Sequence, residues 1–246
     1  MKKRYIDYKI IFVDKVTSTN SELKSLIRKN NKLNNVCLCA DNQSKGYGRR
    51  NTKWFSYNGN IHLSILIKPN CILSKINQLA FVTSISIGEV IKKISKKKEI
   101  RYKWPNDVLL NKRKLAGVLI ETSSNIKKIK WAVIGVGVNI KKHPNFKNNN
   151  FLATSLNKEK IFIEKKVFIN LFVNNFFKNY SIWKKNGFSQ FKNKWLSNLY
   201  NTKNTIIIKY HDKINKGKFL NLYDDGSLKL LIDNKVRKFS FGDQII

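Results

Sequence analysis

Apolar positions recur along this chain in runs that define a series of short elements. Residues 9–14 (KIIFVD) and 36–40 (VCLCA) read as strands, and Ile61, Leu63, Ile65 and Ile67 alternate as a half-buried strand. Between the first two, Leu23, Leu26 and Ile27 form a helical stripe behind Thr19 and Glu22, whose spacing is that of a capping box. A longer helical period spans residues 75–97 through Ile76, Leu79, Ala80, Thr83, Ile87, Val90, Ile91 and Ile94, closing on a lysine run that suits the helix dipole. VLLN and KLAGVLIET then flank a turn at Lys112–Arg113, and WAVIGVGVNI (131–140) is a further strand. Gly135 and Gly137 lie inside that strand, which predicts close approach of another backbone or a ligand. Residues 144–158 are polar and Asn-rich and read as a mobile loop. Helices follow over 164–185 and through Phe188, Phe191, Trp195 and Leu199. From about residue 203 the texture changes to TIIIKY, KGKFLNL, SLKLLI and VRKFSF, separated by turn signals such as Asp224-Asp225-Gly226. Such a β unit is too small to hold much core alone and is predicted to pack on the rest of the chain.

Composition qualifies this picture. The 246 residues are 42% hydrophobic and 12% aromatic, which excludes wholesale disorder. Lys and Arg number 49 against 15 Asp and Glu, a formal charge of +34, and a basic nucleic-acid-binding module is therefore one reading. Its weakness is that 42 of those cations are lysines scattered from end to end, beside 32 Asn and only 5 Ala. An AT-biased genome accounts for that, whereas a phosphate-binding face favours the arginine fork. Cys37 and Cys39 fall in one apolar strand as small hydrophobes, and with Cys71 they make no metal spacing, which points to a reducing cytoplasm. MKKRYIDYK is not followed by an apolar core, so no signal peptide is expected, and no apolar run is long enough for a membrane span.

The candidate chemistry is concentrated in a few clusters. The polar stretch 41–60 contains GYGRR (46–50), two of eleven glycines and two of seven arginines within five residues. Gly46 and Gly48 let backbone approach a ligand, Arg49 and Arg50 supply forked donors for phosphate or carboxylate, and Trp54 offers a flat apolar wall. A basic solvated loop explains the same residues equally well. KWPND (103–107) is a second cluster, with Lys114 and Gly117 on the following strand; Trp104 reads as core. Gly135, Gly137 and Asn139 end a strand in GxGxN spacing, equally a bulge and a turn. His62, His143 and His211 have no ligand-spaced partners, and His62 sits at the outward phase of its strand as a structural or solvated residue. No G-x-S-x-G, H-E-x-x-H or Walker A pattern is present. No protein-built metal cage is expected, though Asp107 and Glu121 are placed to orient a Mg²⁺ held by substrate phosphates.

In order, STN (18–20), QSKGYGRRNTKWFS (43–56), KWPND, KLAG (114–117) and GVGVN (135–139) resemble biotin protein ligase, the biotin–[acetyl-CoA-carboxylase] ligase family. The resemblance runs from about residue 10 to residue 140, and FGDQII (241–246) resembles the family's closing strand. It implies an α+β fold: a mixed sheet flanked by helices, like class II aminoacyl-tRNA synthetases, over residues 1–200, and a small SH3-like C-terminal β-barrel over 201–246. It implies two steps, activation of biotin by ATP to biotinyl-5′-AMP and transfer to a lysine of a biotin carboxyl carrier protein. By the same resemblance Ser18, Thr19, Asn20, Gln43, Tyr47, Gly48, Arg49, Trp54, Lys114, Gly117 and Gly135 bind biotin. Arg49, Arg50, Asn106, Lys114 and Asn139 meet the nucleotide, with Arg49 and Lys114 catalytic.

Three loop positions depart from the family's GRGRxGRxW: Tyr47 replaces Arg, Asn51 replaces Gly and Thr52 replaces Arg. A phosphate contact by Thr52 is expected to be weaker. The STN motif starts at residue 18, which leaves no room for the winged helix-turn-helix of family members that repress transcription, so no specific DNA binding is expected. A lipoate–protein ligase on the related fold is the nearest rival. Its glycine-rich motif looks different from the one here.

Overall fold

The computed structural model describes residues 6–124, 128–145, 152–200, 204–211 and 213–245. Seven strands form one mixed sheet: β1 (Lys9–Val16), β2 (Val36–Gln43), β3 (Ile61–Ile67), β4 (Ile100–Lys103), β5 (Asp107–Leu110), β6 (Arg113–Ser124) and β7 (Ile129–Val138). Their order is β1-β2-β3-β7-β6-β5-β4. β1 and β2 are parallel, which requires a crossover, and helix α1 (Thr19–Lys29) supplies it. The remaining neighbours are antiparallel.

Central β3 is buried on both faces rather than one. Ile61, Leu63, Ile65 and Ile67 join α2 (Gln78–Ile94) and α3 (Lys165–Asn186) in the main core, with Phe168, Phe172 and Phe176. On the other face Leu66, Leu38 and Val133 pack under Leu23 and Ile27 of α1. An alternating pattern shows the two faces but not that a short crossover helix covers the second. His62 and Ser64 share that second face and are almost fully buried, so the expected outward, solvated position of His62 is corrected.

Local details shift in the same way. The capping box does not form: Ser18 is the residue capping α1, no side chain caps the helix, and Thr19 is already helical. The β5–β6 turn lies at Asn111 and Lys112, both at positive φ, one residue earlier than expected. Of the Asn-rich stretch 144–158, residues 146–151 lie outside the described residues. Beyond them the chain is packed, because Lys114 needs backbone partners: its N–H donates to Leu152 O and its C=O accepts from Thr154 N, each at 2.9 Å.

Helix α4 (Ser189–Leu196) leads to a second sheet, antiparallel, in the order β11-β10-β9-β8-β12. Its strands are β8 (Thr205–Tyr210), β9 (Lys213–Leu222), β10 (Leu228–Ile232), β11 (Lys235–Phe239) and β12 (Asp243–Ile245). Ile206, Ile208, Leu228 and Leu230 belong to the same core cluster as the large sheet. Buried Trp104 ties the two sheets, donating from its backbone to Gln244 Oε1 and from Nε1 to Gly226 O, both at 3.0 Å. The fold is α+β, a mixed sheet flanked by helices with a five-stranded antiparallel unit after it.

Candidate active site

The site lies on the α1 face of the large sheet, where α1 begins and apolar cover stops. Because Thr19 and Asn20 are not spent on capping, their side chains enter a polar cluster. Gln43 Oε1 accepts from Thr19 N (2.8 Å) and Thr19 Oγ1 (3.1 Å), and Gln43 Nε2 donates to Ser56 Oγ at 3.1 Å. Ser64 Oγ bonds to Thr19 Oγ1 at 2.7 Å and Asn20 Oδ1 at 2.5 Å. Asn20 Nδ2 donates to Glu121 Oε2 at 2.7 Å.

The glycines of β7 make room for this. A Cβ on Gly135 would stand 2.5 Å from Asn20 Oδ1, and one on Gly137 2.2 Å from the Trp54 ring. The close approach expected at these glycines is thus by two side chains, one from α1 and one from the 41–60 loop. Gly117 is looser, with its Cβ position 3.4 Å from Trp54. Two polar atoms here are buried without a hydrogen-bond partner among the described residues: Trp54 Nε1 and His62 Nδ1. His62 Nε2 lies 3.2 Å from Tyr57 O, so that nitrogen carries the proton and Nδ1 is an acceptor. Burial pushes the His62 pKa down to about 4, and the ring is neutral at pH 7.

The other end is cationic. Asp107, buried, accepts from Lys114 Nζ at 2.8 Å and lies 3.5 Å from Lys103 Nζ. Burial alone would raise its pKa, but the charges of Lys114, Lys103 and Arg49 outweigh burial and hold it below the ordinary carboxylate value. Arg49 and Arg50 begin a turn of 3₁₀ helix in the loop, and both pair with Asp243 of β12, at 3.0 Å and 2.9 Å. Arg49 also donates to Gly242 O at 2.7 Å and, weakly, to Asn106 Oδ1 at 3.4 Å. Among the described residues four cations face two carboxylates, an arrangement suited to anionic ligands.

Ser18, Thr19, Asn20, Gln43, Tyr47, Gly48, Arg49, Arg50, Trp54, Asn106, Lys114, Gly117 and Gly135 line one cavity of about 230 Å³. A second cavity of about 360 Å³ shares Arg49, Asn106, Val118 and Leu119 with it and reaches Trp104 and Phe241. Asn139 stands apart: it is buried, donates to Thr154 O at 3.0 Å and lies 3.4 Å from Asn60 Nδ2. Sequence reasoning passed over His62, Lys103 and Asp243 as site residues. KWPND already contains Lys103, but nothing local marks Asp243, which meets Arg49 across 194 positions of sequence.

A family model described as the biotin/lipoate A/B protein ligase family matches residues 12–139. The bifunctional ligase/repressor BirA of Bacillus subtilis is 27% identical over 99% of this chain and 75% of its own length. BirA of Escherichia coli is 36% identical over 51% of this chain and 38% of its own. Among solved structures, biotin protein ligase from Aquifex aeolicus in complex with biotin and ATP superposes with a TM-score of 0.79 at 24% identity, covering 96% of this chain and 97% of that one. Biotin protein ligase from Leishmania major in complex with biotinyl-5-AMP gives 0.67 at 18%, covering 96% and 100%. At those identities the structures attest to the fold, and the family match rests on the sequence. With its match covering more than half of the residues, the chain belongs to the biotin/lipoate A/B protein ligase family.

Proposed function

We propose that the protein is a biotin protein ligase, activating biotin with ATP to biotinyl-5′-AMP and transferring it to a lysine of a biotin carboxyl carrier protein. The observation that carries this is the two-ended cavity. One end presents neutral hydrogen-bonding groups and the other a cationic excess, the complement of a small polar ring with a carboxylate tail. Ser18, Thr19, Asn20 and Gln43 bring hydroxyl and amide groups to that end, both donors and acceptors. A cyclic urea has both complements, whereas the dithiolane of lipoate has neither, which favours biotin over the rival acid.

Both reactants are anions and repel. Arg49, Arg50 and Lys114 offset that repulsion and stabilise charge on the phosphorus oxygens as the biotin carboxylate bonds to the α-phosphorus and pyrophosphate leaves. In the second step the carrier amine bonds to the acyl carbon, AMP departs and the amine loses a proton. Binding exchanges partners: phosphate and carboxylate oxygens take donors now held by Asp243 and Asp107. Asn106 lies where the cavities join, suited to the nucleotide. The donor set does not fit a Mg²⁺ cage, since Asp107 and Glu121 are engaged by lysines and no cluster of three metal-ligating residues occurs among the described residues. Mg²⁺ would arrive on the nucleotide.

The deciding experiment is transfer of labelled biotin to a carrier domain with and without ATP. Labelling that requires ATP and fails with lipoate supports the reading; adenylate formation with lipoate alone would overturn it. Glycine substitutions supply a second check. Gly137→Ala drives a methyl into Trp54 and is expected to weaken biotin binding roughly tenfold or more by calorimetry. Gly117→Ala meets Trp54 at an ordinary 3.4 Å and is expected to cost much less. Equal affinities for the two variants would remove Trp54 from the pocket wall.

A further inference from the structure

Lys24 lies one helical turn after Asn20 on the same face of α1 and outside the cavity. Its Nζ pairs with Glu121 Oε1 at 2.5 Å and reaches the Tyr47 hydroxyl at 3.3 Å. That hydroxyl donates to Glu121 Oε2 at 2.9 Å, and Asn20 Nδ2 donates to the same oxygen at 2.7 Å. The Tyr47 ring lines the cavity, and Tyr47 bridges to Lys53 across the loop. Glu121 is thus a hub through which β6 and α1 hold the loop, an anchor separate from Asp243.

Burial would raise the half-buried Glu121 carboxyl, and hydrogen bonds from Lys24, Asn20 and Tyr47 outweigh it, so it is held below its ordinary value. Lys24 is the cation in that set. Without it Glu121 keeps two neutral donors, gains reason to turn toward water or take up a proton, and accepts less strongly from Tyr47.

We propose that Lys24 is a positioning residue that fixes Glu121 and the Tyr47 hydroxyl and thereby governs how often the loop lifts from the pocket. This rests on the ligase reading, in which the loop retains the acyl-adenylate, and it assigns a share of that retention to a residue outside the cavity.

The test compares wild-type protein, Lys24→Met and Lys24→Arg as full chains. Without ligand, tryptic cleavage after Arg49, Arg50 and Lys53 is followed by mass spectrometry. Lys24→Met is expected to be cut roughly tenfold faster there, the scale of one charge-assisted hydrogen bond, and Lys24→Arg at the wild-type rate. With biotin and ATP, Lys24→Met is expected to form biotinyl-AMP at the wild-type rate and release it roughly tenfold faster. Unchanged loop cleavage in Lys24→Met would overturn the proposal. So would slower adenylate formation accompanied by a lower Tm, which would make the role structural. If wild-type protein forms no biotinyl-AMP, the ligase reading fails by itself, and the cleavage rates still decide whether Lys24 holds the loop.

Discussion

Lys114→Ala is expected to lower the rate of biotinyl-AMP formation by roughly 10²–10³-fold, the range found when one preorganised donor is removed from developing charge, or about 2.7–4 kcal/mol. The lysine is well placed for this. Its Nζ lies 2.8 Å from Asp107 and 5.8 Å from the Trp54 ring centre, between the apolar wall and the acid. Removing it has a second effect, because Asp107 is buried and relies on Lys114 first among its counter-charges. The variant therefore leaves a buried carboxylate beside incoming phosphates with less compensation. The folded-state pKa of Asp107 should rise toward its ordinary value, which leaves it ionised at neutral pH and repelling the incoming phosphates. Single-turnover adenylate formation at neutral pH measures the combined loss. Near wild-type turnover would exclude Lys114 from the chemistry.

Arg49→Gly is expected to act later in the cycle. Arg49 ties the loop to β12 through Asp243 and Gly242 O. With half-exposed partners, screening limits the loss to the scale of one or two charged hydrogen bonds, so release of biotinyl-AMP should rise about tenfold and formation should slow. Bystander lysines should become labelled as the free anhydride escapes. Arg50 shares Asp243 at 2.9 Å, so Asp243→Asn loosens both arginines at once and should show release at least as fast. A Tm close to wild type is expected, because neither arginine is in the core. Release and bystander labelling at wild-type levels would mean that Arg49 does not restrain the intermediate.

Most elements were legible because their apolar periods differ: alternation in Ile61–Ile67, a 3.6-residue stripe in α2 and α3. Two-sided burial of β3 was not legible, since the second cover comes from α1, whose stripe looks like that of any surface helix. The capping-box spacing of Thr19 and Glu22 misled for a related reason. A threonine side chain cannot both cap a helix and bond to Gln43 and Ser64, and the longer-range partners prevail. Within the site, glycine and arginine clustering marked the loop, and motif order marked the strands around it. Lys24, Asp243 and His62 carried no such mark: a lysine among 42, an aspartate near a β turn and a lone histidine acquire meaning only from distant partners. Asn139 shows the converse, since its motif is clear while its side chain is taken up by Asn60 and Thr154.

The bare stretch of β7 has a bearing on how this pocket can be redesigned. Where most binding sites have floor side chains that can be trimmed, the floor here is backbone at Gly135 and Gly137, already at minimal size. The space above it is set by Asn20 and Trp54, which belong to other segments. Enlarging the site for a bulkier vitamin analogue therefore has to proceed through positions 20 and 54. The first of these is also wired to Glu121, so widening the chamber and slackening its cover are coupled outcomes of the same change.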